Sequence, residues 1–383
     1  MEDLSKANCH FTLDLFRKLV EKNQAGNIFF SPFSISSALA MVYLGAKNNT
    51  ASQMAKALHF DQVGDLHSGF QKMQSAINRA DVSYLLKVAN QLYGEKTYNF
   101  LEEFCKSSKK YYGSGMSGVD FRSAADETRQ VINKWVEAQT EGKIQNLLAQ
   151  GSVDSNTRLV LVNAIYFKGT WAEKFNQQAT KEMPFRLNKN ESRLVKMMYQ
   201  KKKFLIRHIP EVNIKVLELP YIDKELSMII LLPEDIMDDS TGLKQLEQEL
   251  TLEKLQEWTL QNRMRKMDVQ VRLPKFKLED DYELNSLLSS LGMRDLFNES
   301  SADLSGMSET HDLFVSKVIH KSFVQVTEEG TEAAAATAVM IACGARREMQ
   351  HEVEIFTADH PFLFFIRHNK TNSILFFGRY TSP

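Results

Sequence analysis

Cysteine is scarce, with three residues in 383: Cys9, Cys105 and Cys343. So sparse and odd a set argues against a disulfide framework and favours a reducing compartment. Long apolar runs are absent too. No segment holds the roughly 18 apolar residues needed to span a bilayer. The charged opening stretch MEDLSKANCHFTLDLFRKLVEKN lacks the apolar core of a secretory leader. An excess of either charge is missing: 47 basic and 48 acidic residues leave a net charge of −1, and with it no global pull toward nucleic acid or membrane. Only eight prolines occur, and no low-complexity tract marks a linker, so a single domain over residues 1–383 is expected. The sequons at Asn48, Asn190, Asn298 and Asn369 read as chance matches in a chain without a leader.

Catalytic motifs are also lacking. There is no G-x-S-x-G elbow, phosphate-binding loop or H-E-x-x-H. The nine histidines are scattered, and no Cys/His spacing suits zinc. Cys9 and His10 are adjacent on a helix, so their side chains diverge. These absences point away from an enzyme and imply neither cofactor nor metal.

What is present has an α+β order. Ser5 to Lys22 reads as an amphipathic helix, with Phe11, Leu15 and Leu19 four apart and Phe16 and Val20 beside them. After Pro32 a second helix is expected from about Ser34, capped by that serine. Asp126 to Gln139 sets Val131, Ile132, Trp135 and Val136 on one face, with Gly142 to end the helix. Strands dominate afterwards. RLVLVNAIYFKGTW is rich in β-branched and aromatic residues. IKVLELPYI and LSMIILLPED read as a strand pair, and DVQVRLPKFKLE as one alternating strand. A C-terminal strand pair is expected from about Phe356, with its turn at Asn369 to Asn372. No internal repeat is visible.

KSFVQVTEE reads as a strand leading into EEGTEAAAATA, and almost thirty residues with little sign of a core follow before Phe356. A loop of that length in a folded domain is usually functional or disordered. Its first part has tiny side chains, of the kind that enter a crowded space without demanding a hole. As a strand, Thr331, Ala333, Ala335 and Thr337 would share one face. Glu332, Ala334 and Ala336 would share the other, with Glu332 toward solvent or the open end.

EEGTEAAAATA resembles the reactive-loop hinge of inhibitory serpins, and FTADHPFLFFIR is similar to that family's C-terminal signature. NIFFSPFSIS, LVNAIYFKGTW and ADLSGMS match further family blocks in order, so the resemblance runs over essentially the whole chain. The short N-terminus and the ending GRYTSP resemble the intracellular, ovalbumin-like (clade B) branch. YGEKTYNFL, TEGKIQNLL and MMYQKKKF look closest to its elastase inhibitors.

The resemblance implies a single-domain serpin fold of three β-sheets and about eight to nine helices, with an exposed reactive-centre loop over about 328–355. It implies a monomeric, metastable suicide inhibitor of serine proteases, in which the cleaved hinge enters the main sheet. The hinge would be Glu328, Glu329, Gly330, Thr331, Glu332, Ala333, Ala334, Ala335, Ala336 and Thr337. Seventeen residues counted from Glu328 end at Gly344, making Gly344–Ala345 the bait bond. Cys343 and Met340 stand nearby for elastase-like or chymotrypsin-like pockets, and Arg346 and Arg347 for a trypsin-like one. Ser34, Ser37, Asn163 and His320 match the shutter beneath the sheet, and Trp171 and Lys275 the breach where the hinge enters, with a Lys275–Glu328 pair expected. The chain is expected in the cytoplasm, with leaderless release as the alternative. Two other functions stay open: a non-inhibitory scaffold, and inhibition of papain-like cysteine proteases. The basic runs Lys201 to Lys203 and Arg263 to Arg272 suit either a glycosaminoglycan or other polyanion, or simple solvation.

Overall fold

Helices fill the first third because the apolar residues there recur at helical spacing. In the computed structural model, which describes residues 1–310, 312–331 and 353–383, the first helix runs Glu2–Lys22 and buries Phe11, Leu15, Phe16 and Leu19. It starts ahead of Ser5, with Glu2 and Asp3 in its first turn, where acidic side chains meet the positive end of the helix dipole.

The second helix, Pro32–Tyr43, differs from expectation at its start. Ser31, not Ser34, is the cap, and its hydroxyl accepts from the Ser34 N–H at 3.3 Å. Proline suits the first helical position, since its missing N–H would have had no partner there. The helix Phe121–Gln139 is interrupted at Ala124. It buries Thr128, Ile132 and Val136, while Val131 is 60% exposed. The buried stripe follows the i, i+4 row through Ile132 and Val136, and Val131 lies about 100° around from it.

Nine α-helices are present among the described residues. The strands form two hydrogen-bonded networks of six and nine strands. The larger network changes partners along one strand, Ser192–Ile209. This strand pairs with Lys181–Arg186 at its start, with Arg265–Pro274 through its middle and with Ile214–Pro220 at its end. Divided there, the networks make the expected three sheets. Ile214–Pro220 and Leu226–Pro233 pair antiparallel as their patterns require.

Two strand readings are corrected. DVQVRLPKFKLE is two strands, Arg265–Pro274 in the nine-stranded network and Phe276–Glu283 in the six-stranded one. The chain changes sheet at Lys275, just after a proline that has no N–H for a ladder. Phe356 belongs to a separate strand, Val353–Thr357, parallel to Arg265–Pro274. The C-terminal antiparallel pair is Phe362–His368 with Ser373–Tyr380, and both strands are buried along their length.

The six-stranded sheet positions the site. Its order is Phe276–Glu283, Lys317–Val326, Gly330–Thr331, Leu159–Thr170, Leu85–Glu95 and Met116–Val119.

Candidate functional site

Two central strands of this sheet run parallel and are joined along only part of their length. Lys317 to Phe323 pairs directly with Val160 to Tyr166. Above that point they part, and Gly330–Thr331 lies between them, antiparallel to both. Thr331 pairs with Val326 on one side and Gly169 on the other, and Gly330 with Thr170. The start of the small-residue segment therefore already occupies the top of the gap.

The backbone makes this entry through a tight turn, with Thr327 and Gly330 exchanging N–H···O bonds of 2.8 and 3.2 Å. Gly330 has φ +147°, and a Cβ on it would lie 2.1 Å from the Gly169 carbonyl oxygen. Only glycine fits, for conformation and for space alike. Just before it, the carbonyls of Glu328 and Glu329 accept from the N–H groups of Phe175 and Trp171, each at 2.9 Å. The Trp171 indole N–H donates to the Thr327 carbonyl at 2.9 Å.

The Glu328 carboxylate is nearly buried. Lys275 Nζ lies 2.8 Å from it, and the Thr180 hydroxyl donates to it at 2.7 Å. Burial alone would raise this carboxyl, but these two bonds outweigh it and hold its pKa below the ordinary value. Trp171 stacks on Tyr221, ring centroids 4.6 Å apart, and the Tyr221 hydroxyl bonds Thr331 Oγ1 at 2.7 Å.

Lower in the sheet lies a polar cluster where the two parallel strands are still joined. Asn163 and His320 face each other across them. The Asn163 amide donates to the Ser34 hydroxyl at 2.5 Å and to Asn90 Oδ1. The Ser31 N–H points at His320 Nε2 at 3.1 Å, so that nitrogen accepts. Nδ1 then carries the proton and donates it to Asn163 Oδ1. The ring is held neutral in one tautomer, and full burial pushes its pKa down to about 3. Of these bonds, the one between His320 and Asn163 joins the two strands that must separate for a third to enter.

Residues 6–383 match the family model described as Serpin (serine protease inhibitor). The chain belongs to the serpin family. It is similar to human leukocyte elastase inhibitor, 59% identical over 384 residues that cover all of both chains. Among solved structures it is similar to maspin, with TM-score 0.92 and 40% identity covering 100% of this chain and 99% of that one. It is also similar to a loop-inserted, cleaved ovalbumin variant, with TM-score 0.88 and 39% identity covering all of both chains. The fold and family are those of protease inhibitors and not of an enzyme.

In this serpin the structure brings together Ser34, Asn163 and His320. Ser37 stands apart from them, its hydroxyl accepting from Gln74 at 2.7 Å. Trp171, Lys275, Glu328, Glu329, Gly330 and Thr331 converge at the top of the gap. Glu332, Ala333, Ala334, Ala335, Ala336, Thr337, Cys343, Gly344, Ala345, Arg346 and Arg347 lie outside the described residues. Sequence reasoning missed Ser31, Asn90, Thr180 and Tyr221. Asn90 carried a signal, a polar side chain within the apolar run LLKVANQLY. Thr180 carried none, because its partner Glu328 is 148 positions away. Cys9 is buried, and burial pushes its thiol up to about 12, so it packs as an apolar residue and not as a nucleophile.

Proposed function

We propose that this serpin inhibits an elastase-type serine protease by trapping it as an acyl-enzyme while the cut loop enters the six-stranded sheet. The observation that carries this reading is Gly330–Thr331, seated antiparallel between two parallel strands. Continued entry replaces one parallel pairing by two antiparallel ladders, and antiparallel pairing is the more stable per residue. It also buries the small side chains that follow Thr331. The relatives' name supplies the target class, and the loop-inserted ovalbumin structure is an instance of the end state in a similar chain.

The protease serine attacks the carbonyl of the bait residue. An ester then joins the two proteins, and the new amine remains on the C-terminal fragment. That fragment carries the buried strands Phe362–His368 and Ser373–Tyr380, so it stays bound until the fold is denatured.

Mixing the protein with neutrophil elastase and, separately, trypsin tests this. The expected result is a complex of one inhibitor and one protease that survives SDS, with a fragment starting at Ala345. A start at Arg347 or Glu348 moves the bait bond to the arginines. Clean cleavage without a complex by either enzyme, and without a rise in melting temperature, rejects the reading in favour of a non-inhibitory scaffold. On this reading the serpin acts as a monomer in the cytoplasm, which fractionation of expressing cells checks.

A sulfated polyanion is the second partner. Strand pairing puts Lys201 and Lys203 opposite Gln270 and Asp268, with Lys266 one diagonal step away, all three on one face. The three lysines are exposed and, among the described residues, form no ion pair. Salt-sensitive retention on heparin that falls when all three are changed to glutamine is the expected outcome. Unchanged retention removes the site.

A further inference from the structure

We propose that Tyr221 is the positioning residue that sets the register of the entering strand, a claim that rests on the inhibitory reading above. Tyr221 follows the strand Ile214–Pro220 of the nine-stranded network, whereas Thr331 belongs to the six-stranded sheet. Their hydroxyl–hydroxyl bond of 2.7 Å therefore joins two sheets at the mouth of the gap. Both side chains are buried, with Tyr221 1% exposed and Thr331 0%.

The phenol ring cannot swing away. One face stacks on Trp171 at 4.6 Å, and Phe167 meets the ring edge-on at 5.2 Å. Gly169 is what lets the ring lie there, since a Cβ at that position would come within 2.9 Å of Tyr221 Cδ1. The hydroxyl is thus a fixed polar point at a single depth in the gap.

A strand repeats every two residues, so a slip of one residue reverses all its faces. The small segment after Gly330 offers little of its own to prevent a slip, because consecutive alanines look alike to the sheet. The Tyr221 hydroxyl distinguishes the registers. With Thr331 opposite, both hydroxyls are satisfied. One residue back, Gly330 would leave the tyrosine hydroxyl buried without a partner. One residue on, Glu332 would bring a carboxylate into a dry site. Both slips carry the cost of an unsatisfied buried polar group or charge. The backbone bonds of Glu328 and Glu329 hold the chain before the turn but do not identify which side chain enters.

The experiment compares wild type, Y221F, T331V and the double variant against neutrophil elastase. The readout is the ratio of cleaved to trapped inhibitor, measured beside the association rate. Each single variant orphans one hydroxyl, and the ratio is expected to rise about fivefold, the rate equivalent of one neutral hydrogen bond. The association rate should not change. The double variant removes both partners and is expected to return toward the wild-type ratio. A purely structural role would lower melting temperature in Y221F without moving the ratio, or would make the two effects add. Either result overturns the proposal. A wild type that traps no protease sinks the inhibitory reading instead. In that case the loop is cut with an unrelated protease, and the rise in melting temperature is compared between wild type and Y221F. A smaller rise in Y221F supports the register role, while equal rises, or none, overturn it.

Discussion

Replacing Thr331 by arginine is expected to convert the inhibitor into a substrate. Thr331 is fully buried between two strands, against Tyr221 and paired with Gly169. A guanidinium there would lose its water, at a cost of several kcal/mol. The rung already in place would have to leave, and the later ones could not follow. On mixing with elastase, the wild type should give an SDS-stable complex and T331R only cleaved chains, with the initial encounter rate unchanged. Thr331→Ser keeps the hydroxyl and should still trap. If T331R forms complexes as well as wild type, the strand does not enter past this position and the mechanism is wrong.

Acid should loosen the same sheet through His320. The ring is neutral in the fold, because Nε2 accepts from Ser31 N–H and Nδ1–H serves Asn163. Its pKa is pushed from the ordinary 6.5 down to about 3 by burial. The unfolded chain therefore takes up a proton below pH 6.5, and the folded one does not until about 3. Stability falls as pH falls through that window, by about 2 kcal/mol between pH 7 and pH 5. A proton on Nε2 would also face the Ser31 N–H and break the bond that ties the ring to the cap of the second helix, while Nδ1–H still serves Asn163.

Glu328 acts in the same direction at lower pH. Its carboxyl lies below the ordinary 4.5, so its contribution is full above that value and is lost as pH drops through the folded pKa. Thermal melting at a fixed scan rate, at pH 7 and pH 5, separates the two groups. His320→Gln should be less stable at pH 7 yet lose about 2 kcal/mol less on acidification. Equal pH dependence in the two proteins would show that His320 is not the titrating group.

Local pattern made much of this molecule legible before any coordinates. Phe11, Leu15 and Leu19 repeat at helical spacing, and that helix is present. IKVLELP and LSMIILLP carry the β-branched density of buried strands, and they pair. Local pattern failed where a neighbour far along the chain decides the outcome. DVQVRLPKFKLE alternates on each side of Pro274, but the apolar positions change phase across it, from Val269, Val271 and Leu273 to Phe276 and Leu278; Pro274 cannot donate to a ladder, and the two halves find partners in different sheets. Val131 carries an apolar side chain that the packed stripe through Ile132 and Val136 leaves in solvent.

The site divides along the same line. Sequence by itself determined the α+β class and the family, and it singled out Trp171, Lys275 and Glu328 to Thr331, and Ser34, Asn163 and His320, which the structure brings together. Each of these rests on residue type at fixed local spacing. Only the tertiary structure decided that Gly330–Thr331 lies between two parallel strands, that Ser37 turns to Gln74, and that Ser31 and Asn90 complete the network around Asn163. The Tyr221 hydroxyl meets Thr331 across 110 positions. Such contacts depend on how separate sheets stack and which strand edges meet. Those are choices made by packing over the whole chain, and no local period encodes them.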